Sequence, residues 1–197
     1  TSFNLNIDEI IDEGYERCGL STTSGYDLKS ARRSLDLLFA EWGNRGIHLW
    51  KVALHENALV SGQAAYAVDS DVSDVLEAFI STTAAAADSV NTQDVALTKI
   101  DRSAYSALPN KLALGQPSQY YVDRVKIPKI YLYQAPNLNT YTTLKYYVIK
   151  RIEDAGAYTN DGDVVYRFLP CMCAGLAYYL AMKKAPQLVQ QNKLIYE

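Results

Sequence analysis

From Cys171 to Lys184 nearly every position is apolar or small. Leu176, Tyr179, Leu180 and Met182 cover much of a helix's circumference, while Ala174, Ala177 and Ala181 keep the remaining faces slim. A helix apolar nearly all round needs cover on several sides. Pro170 suits its first turn, where a missing N–H is no loss, and Lys183 and Lys184 suit its last. Pro186 stops it. The stretch from Arg167 to Pro186 therefore predicts the central helix of a bundle, organised on Leu176, Tyr179 and Leu180, with the N-terminal helices returning to cover it. Arg167 and Pro170 interrupt the apolar run, which then falls short of the roughly 20 residues of a membrane span.

The other elements follow from the same patterning. Ile7, Ile10, Ile11, Tyr15 and Cys18 fall at helical spacing behind Asn6 as N-cap, predicting a helix over 7–18. Asp27 is expected to cap a second over 28–43, with Leu28, Ala31, Leu35, Leu38, Phe39 and Trp42 on one face and Gly43 and Gly46 ending it. The period then changes to alternation: Trp50, Val52 and Leu54 against Lys51, Ala53 and His55. Further strands are expected over 65–68, 75–81, 120–125, 129–133 and 141–152, with Leu144, Tyr146, Val148 and Ile152 on one face of the last. Residues 84–93 show no periodicity and are expected to form a long exposed loop or hairpin tip. A short helix is expected within 100–108, a turn at Gly115-Gln116-Pro117, and a final helix over 187–193. Connections too short for crossovers imply a mostly antiparallel sheet. The expected fold is α+β: a helical bundle from both chain ends, residues 1–47 and 154–197, with an inserted, sandwich-like β-domain over 48–153.

Composition narrows the function. With 49% hydrophobic and 21% charged residues the chain is expected to be globular, and a net charge of −3 argues against binding nucleic acid by neutralising phosphates. Sixteen tyrosines against four phenylalanines suit half-buried sheets and protein interfaces. Cys18, Cys171 and Cys173 are an odd set without disulfide-scaffold spacing, and neither a signal peptide nor a lipidation motif is evident, so folding in a reducing cytoplasm is expected. Thr1 can follow a removed initiator methionine, which would make the terminus nearly native.

Chemistry is sparse. His48 and His55 point to opposite faces of one strand, and Cys171 and Cys173 stand about 200° apart around a helix, so neither pair chelates a metal. Asp69, Asp71, Asp74 and Glu77 lack the central Gly and closing Glu of an EF-hand, leaving open whether any ion sits at Asp69–Asp74. Asp161-Gly162-Asp163 reads as a turn and helix start. Lys145, Lys150 and Arg151 with Tyr146 and Tyr147 read as a solvated sheet face. No phosphate-binding glycine loop, zinc-protease motif or nucleophile elbow occurs. The chain is expected to be no enzyme and to need no cofactor or metal.

The order of segments resembles the head-to-tail adaptor (connector, or tail tubular A) proteins of short-tailed bacteriophages. The likeness is carried by Trp42 with Gly43 and Gly46 leading to Leu49-Trp50, by 59–63 with Tyr66, by 97–105, and by 115–121. Its strongest part is Tyr146-Tyr147 through 151–156, then Phe168-Leu169-Pro170 and 175–181. Cys171 and Cys173 stand where small residues are usual, and 84–93 has no counterpart. The resemblance implies a structural virion protein at the head–tail junction, assembled in the bacterial cytoplasm as a dodecameric ring under the portal. It implies contacts with further copies, the portal and the tail nozzle (tail tubular B) protein, with tail fibres as a further contact, and DNA passing without sequence-specific binding. It also implies that the helical domain builds the ring and the tail docks on the portal.

For the tail, Leu188, Val189, Lys193, Leu194, Ile195 and Tyr196 are the docking candidates. Apolar positions with little core of their own are expected to stay loose until they meet a partner. Deleting 187–197 is then expected to abolish portal attachment and leave the subunit folded. Two rivals remain. A binding module could recognise a receptor or tail fibre through aromatic strands and the 84–93 loop. A cell-wall hydrolase could use carboxylates such as Glu56 and Asp74, though no spacing suggests them.

Overall fold

The computed structural model describes residues 5–22, 24–47, 51–153, 156 and 164–197. The chain is α+β and divides into two compact units: Thr1–Trp50 with Ile152–Glu197, and Lys51–Arg151.

In the helical unit, α1 spans Ile7–Glu16. Asn6 Oδ1 accepts from the Glu9 N–H at 2.9 Å while the Asn6 N–H donates to Glu9 Oε2 at 3.0 Å, a reciprocal cap that satisfies two otherwise orphaned donors. Ile7, Ile10, Ile11 and Tyr15 are buried. The second helix, α2, spans Gly25–Asn44 and starts earlier than the sequence suggests. Ser24 is its N-cap; Asp27 lies inside the first turn, buried, with its carboxylate paired to Lys184 instead of the backbone. Near the other end come α4, Leu169–Lys184, and α5, Val189–Tyr196, each entered through a 3-10 turn, Tyr166–Phe168 and Pro186–Leu188 (α3 belongs to the β unit). Pro186 thus redirects the chain into a further helix, which runs past the expected end at 193.

Two glycines set how close the helices come. A Cβ on Gly14 of α1 would lie 3.1 Å from Leu176, and one on Gly175 would lie 2.9 Å from both Leu38 of α2 and the Tyr196 ring. Leu176 and Leu180 are fully buried in a core that takes side chains from α1, α2 and α4. Leu188, Val189 and Tyr196 pack against that same core. The expectation that the tail has little core to join is therefore corrected: α5 is folded against the helices before any partner arrives. Ile152, assigned by alternation to a strand face, lies in this core as well.

The β unit contains two four-stranded sheets sharing one apolar core. One has the order β1-β10-β3-β4, with β1 Val52–Ala58, β3 Val72–Ser81, β4 Asp94–Ala96 and β10 Thr143–Lys150. The other has the order β2-β8-β7-β5, with β2 Ala65–Ala67, β5 Thr98–Lys99, β7 Gln119–Asp123 and β8 Lys129–Tyr133. Helix α3, Arg102–Ala107, is capped by Asp101, whose carboxylate accepts from the Ala104 N–H at 2.6 Å.

Pairing is antiparallel except β5 with β7, and β6 (Leu114–Gly115) with β9 (Ala135–Pro136). The turn expected at Gly115-Gln116-Pro117 is thus partly strand: the Ala135 N–H donates to Ala113 O and the Gly62 N–H to Pro136 O, each at 3.0 Å, recruiting the segment to a small edge pair. No helix among the described residues is long and apolar enough to cross a membrane.

Candidate functional site

The tail candidates sit on α5 and the turn before it, and the structure divides them by exposure. Tyr196 faces inward: its hydroxyl accepts from the Trp42 indole Nε1–H at 3.0 Å, and its ring stacks on Tyr178 with centroids 6.1 Å apart. The Arg45 guanidinium lies over the same ring, 5.8 Å from the centroid. Leu188 and Val189 are half-buried, and Asn192, which the sequence did not single out, is buried with its amide 3.9 Å from the Cys18 sulfur. Leu194 and Ile195 point away, 69% and 60% exposed, and Lys193 pairs loosely with Glu197 at 3.7 Å. The helix is thus anchored by one face and leaves two branched apolar side chains exposed on the other.

Of the central-helix residues, Leu176 and Leu180 are pure core, whereas Tyr179 carries a polar handle. Its hydroxyl donates to Glu41 Oε2 at 2.7 Å, and Glu41 is paired with Arg45 at 2.5 Å. Burial, and then this bond to a carboxylate, push the Tyr179 phenol up to about 12. A chain of Tyr179, Glu41, Arg45 and Tyr196 thus ties α4, α2 and α5 together. Only Tyr179 and Tyr196 were legible as candidates; Glu41 and Arg45 look in sequence like ordinary wet positions.

The remaining chemistry-bearing residues are dispersed among structural partners. His55 Nδ1 lies 3.3 Å from Asp69, Asp71 pairs with Lys150 at 3.3 Å, and Asp74 accepts from Arg124 at 2.9 Å. The acidic run is therefore shared out among separate partners, and among the described residues no group of three His, Cys, Asp or Glu could hold a metal. Glu56 accepts from the Ala85 N–H at 2.7 Å. The thiols of Cys18, Cys171 and Cys173 are all pushed up by burial, which suppresses the thiolate. His48, Trp50 and Asp161-Gly162-Asp163 lie outside the described residues.

One reading is overturned. Lys145 is not on a solvated face: its side chain is 1% exposed, and its Nζ donates to Asp88 at 2.6 Å with Asp94 3.9 Å away. Tyr146 beside it is core, its hydroxyl donating to Asn57 Oδ1 at 2.6 Å. Residues 84–93, expected to be patternless, contain a 3-10 turn at Ala85–Ala87, and Asp88 lies over the buried ammonium. The alternation of Leu144, Tyr146 and Val148 holds, whereas on the outer face the loop covers Lys145 and leaves Tyr147 exposed.

The β unit also gathers three tyrosines into a triangular cluster that sequence reading missed, with Tyr105 and Tyr131 themselves 5.6 Å apart. Tyr105 of α3 stacks on Tyr121 of β7 at 5.4 Å, and Tyr121 on Tyr131 of β8 at 6.0 Å, with Lys111 over the Tyr105 ring. The residues lie 10 and 16 positions apart, so only tertiary structure aligns them. No protein-family model matches this sequence, and no curated protein matches it.

Proposed function

We propose that this chain is a structural virion subunit, the head-to-tail adaptor of a short-tailed bacteriophage. The helical residues from both ends act as one bundle that builds a dodecameric ring, with the β-domain inserted between them. The ring sits at the head–tail junction between the portal and the tail nozzle and gives DNA a passage without reading its sequence. The reading rests on the segment order described above. The observation that carries it in three dimensions is α5, fixed through Tyr196 and Trp42 yet presenting Leu194 and Ile195 to solvent. Tyr26, Leu37 and Met182 add exposed apolar area elsewhere on the helical unit. A ring of identical subunits joins unlike faces of each copy and closes by rotation.

Because α5 carries part of the core, deleting 187–197 would disturb the fold as well as the contact. The sharper test is Leu194→Glu with Ile195→Glu, assayed for co-sedimentation with portal rings. Both positions are exposed, so the variant is expected to fold normally and to lose portal binding. Retained binding would refute the docking role of α5. The stacked tyrosines at 105, 121 and 131 favour a second reading, a binding module for a receptor or fibre. That module would work as a monomer or small oligomer, so a mass measurement with and without portal separates the two.

A further inference from the structure

The helical unit carries two faces of opposite character. Along α1 the outward positions are acidic: Glu9, Asp12 and Glu16 are exposed and Glu13 is half-exposed. They rim an open groove of about 630 Å³ whose apolar floor includes Leu5, Leu169 and Pro170. Arg17 and Arg167 also line it, so four carboxylates stand against two guanidiniums. Along α2 the exposed positions are Tyr26, Lys29, Arg33 and Leu37, spaced three or four residues apart on one stripe. Tyr26 and Leu37 are 70% and 54% exposed. The stripe is apolar at both ends and basic between.

We propose that the α1 groove receives the α2 stripe of a second copy of this chain. An amphipathic helix laid in an apolar groove is a recurrent mode of recognition, anchored at i, i+3, i+4 and i+7 spacings. Tyr26 and Leu37 supply the apolar anchors against Leu5, Leu169 and Pro170. Lys29 and Arg33 stand about 6 Å apart along their helix axis, as do Asp12 and Glu16 along theirs. The two cations therefore meet two carboxylates at matching separation. The two faces are different surfaces of one subunit, so the contact is heterologous and propagates from copy to copy until it closes. This deepens the ring reading and rests on it for closure; it adds which faces meet and why the order is head-to-tail.

The test is a charge swap followed by sedimentation and native mass measurement. Lys29→Glu with Arg33→Glu, and separately Asp12→Lys with Glu16→Lys, each place like charges across the contact. Each is expected to weaken assembly by roughly tenfold or more. Mixing the two variants pairs every reversed face with a complementary one, so the mixture should assemble although neither component does. Assembly of the wild type should also weaken as salt rises, since these charges lie in solvent. Thermal unfolding of each variant checks that it is folded, and rescue on mixing is a readout that misfolding could not give.

The proposal is overturned if either reversed variant assembles like the wild type, if mixing fails to restore assembly, or if the wild type stays monomeric at high concentration in low salt. Loss of assembly through α1 reversal alone would mean that the groove takes another occupant, which also overturns it. Failure of the adaptor reading looks different: rings that assemble, respond to the swap and never bind a portal.

Discussion

The helical unit and the β unit each hold a lysine amino group against their interior, and they satisfy it with opposite kinds of partner. Lys183, in the last turn of α4, is an exposed residue whose amino group donates to neutral oxygens: Ser34 Oγ at 2.6 Å and Ser30 O and Oγ at 3.3 Å. Its pKa is lowered, by burial first and then by Arg33. Lys145 in β10 is almost wholly enclosed and is met by carboxylates, Asp88 at 2.6 Å and Asp94 at 3.9 Å. A charge that keeps contact with water tolerates hydroxyl partners, while one withdrawn from it needs an opposite charge. In the helical unit Lys183 meets the buried Ser34 hydroxyl, while its neighbour Lys184 pairs with the buried carboxylate of Asp27. In the β unit an ion pair is the fastening between a sheet face and the loop above it.

The largest effects should come from breaking each core separately. Leu176 lies against Gly14 of α1, and Leu132 is fully buried in β8. Leu176→Ala and Leu132→Ala are each expected to cost about 2–5 kcal/mol, from lost transfer energy and the cavity left behind. Hydrogen exchange should place the first loss in α1 and α4 and the second in β7 and β8. Loosening of β7 by Leu176→Ala to the same degree as α1 would break the division into two units.

That division bears on what the sequence can convey. Period and caps are local, and they placed α1, α3, α4 and most strands closely. The N-cap of α2 was misplaced because Asp27 competes for two roles, backbone cap and partner of Lys184, and only the fold decides between them. The tail was misread for a similar reason. The apolar spacing of 188–196 is too short to reveal that Trp42, 154 residues away, offers Tyr196 an indole N–H. Lys145 and Asp88 are 57 residues apart, so no local pattern distinguishes a roofed lysine from a wet one. Long-range polar pairs were the systematic blind spot, and the surface stripes on α1 and α2 stood out only once burial showed which positions face solvent.

Smaller effects test whether α5 is held as tightly as the core beneath it. Gly175→Ala gains roughly 1 kcal/mol in helix propensity but forces a methyl group against Leu38 and the Tyr196 ring, costing about 1–3 kcal/mol. A net loss near 1 kcal/mol is expected, concentrated in α5 because its ring can move outward more readily than Leu38 can. Tyr196→Phe leaves the Trp42 N–H without its acceptor and should cost about 1 kcal/mol. Faster exchange confined to α5 in both variants is the expected signature. Unchanged α5 protection would show that the helix is held by Val189 and Asn192 instead.

The smallest effect is an acid dependence, and it belongs to the β unit's fastening. The bond donated by Lys145 holds the Asp88 carboxyl below its ordinary value of 3.8. A carboxyl depressed on folding contributes stability that is complete above its unfolded value and is lost as pH falls through the folded one. Lowering pH below about 4 should therefore loosen residues 82–93 progressively, read as exchange or proteolysis of that segment. Asp88 is half in solvent, so the effect should be modest and weaken with salt. Lys145→Met separates the cause from general acid sensitivity. It leaves an apolar chain of similar length and removes the cation beneath Asp88, so residues 82–93 are expected to be looser already at neutral pH. In that variant the loop's acid response should vanish, because Asp88 no longer has a cation to lose. If the loop still opens over the same pH range, the fastening is not Lys145, and the contrast with the serine-held Lys183 loses its basis.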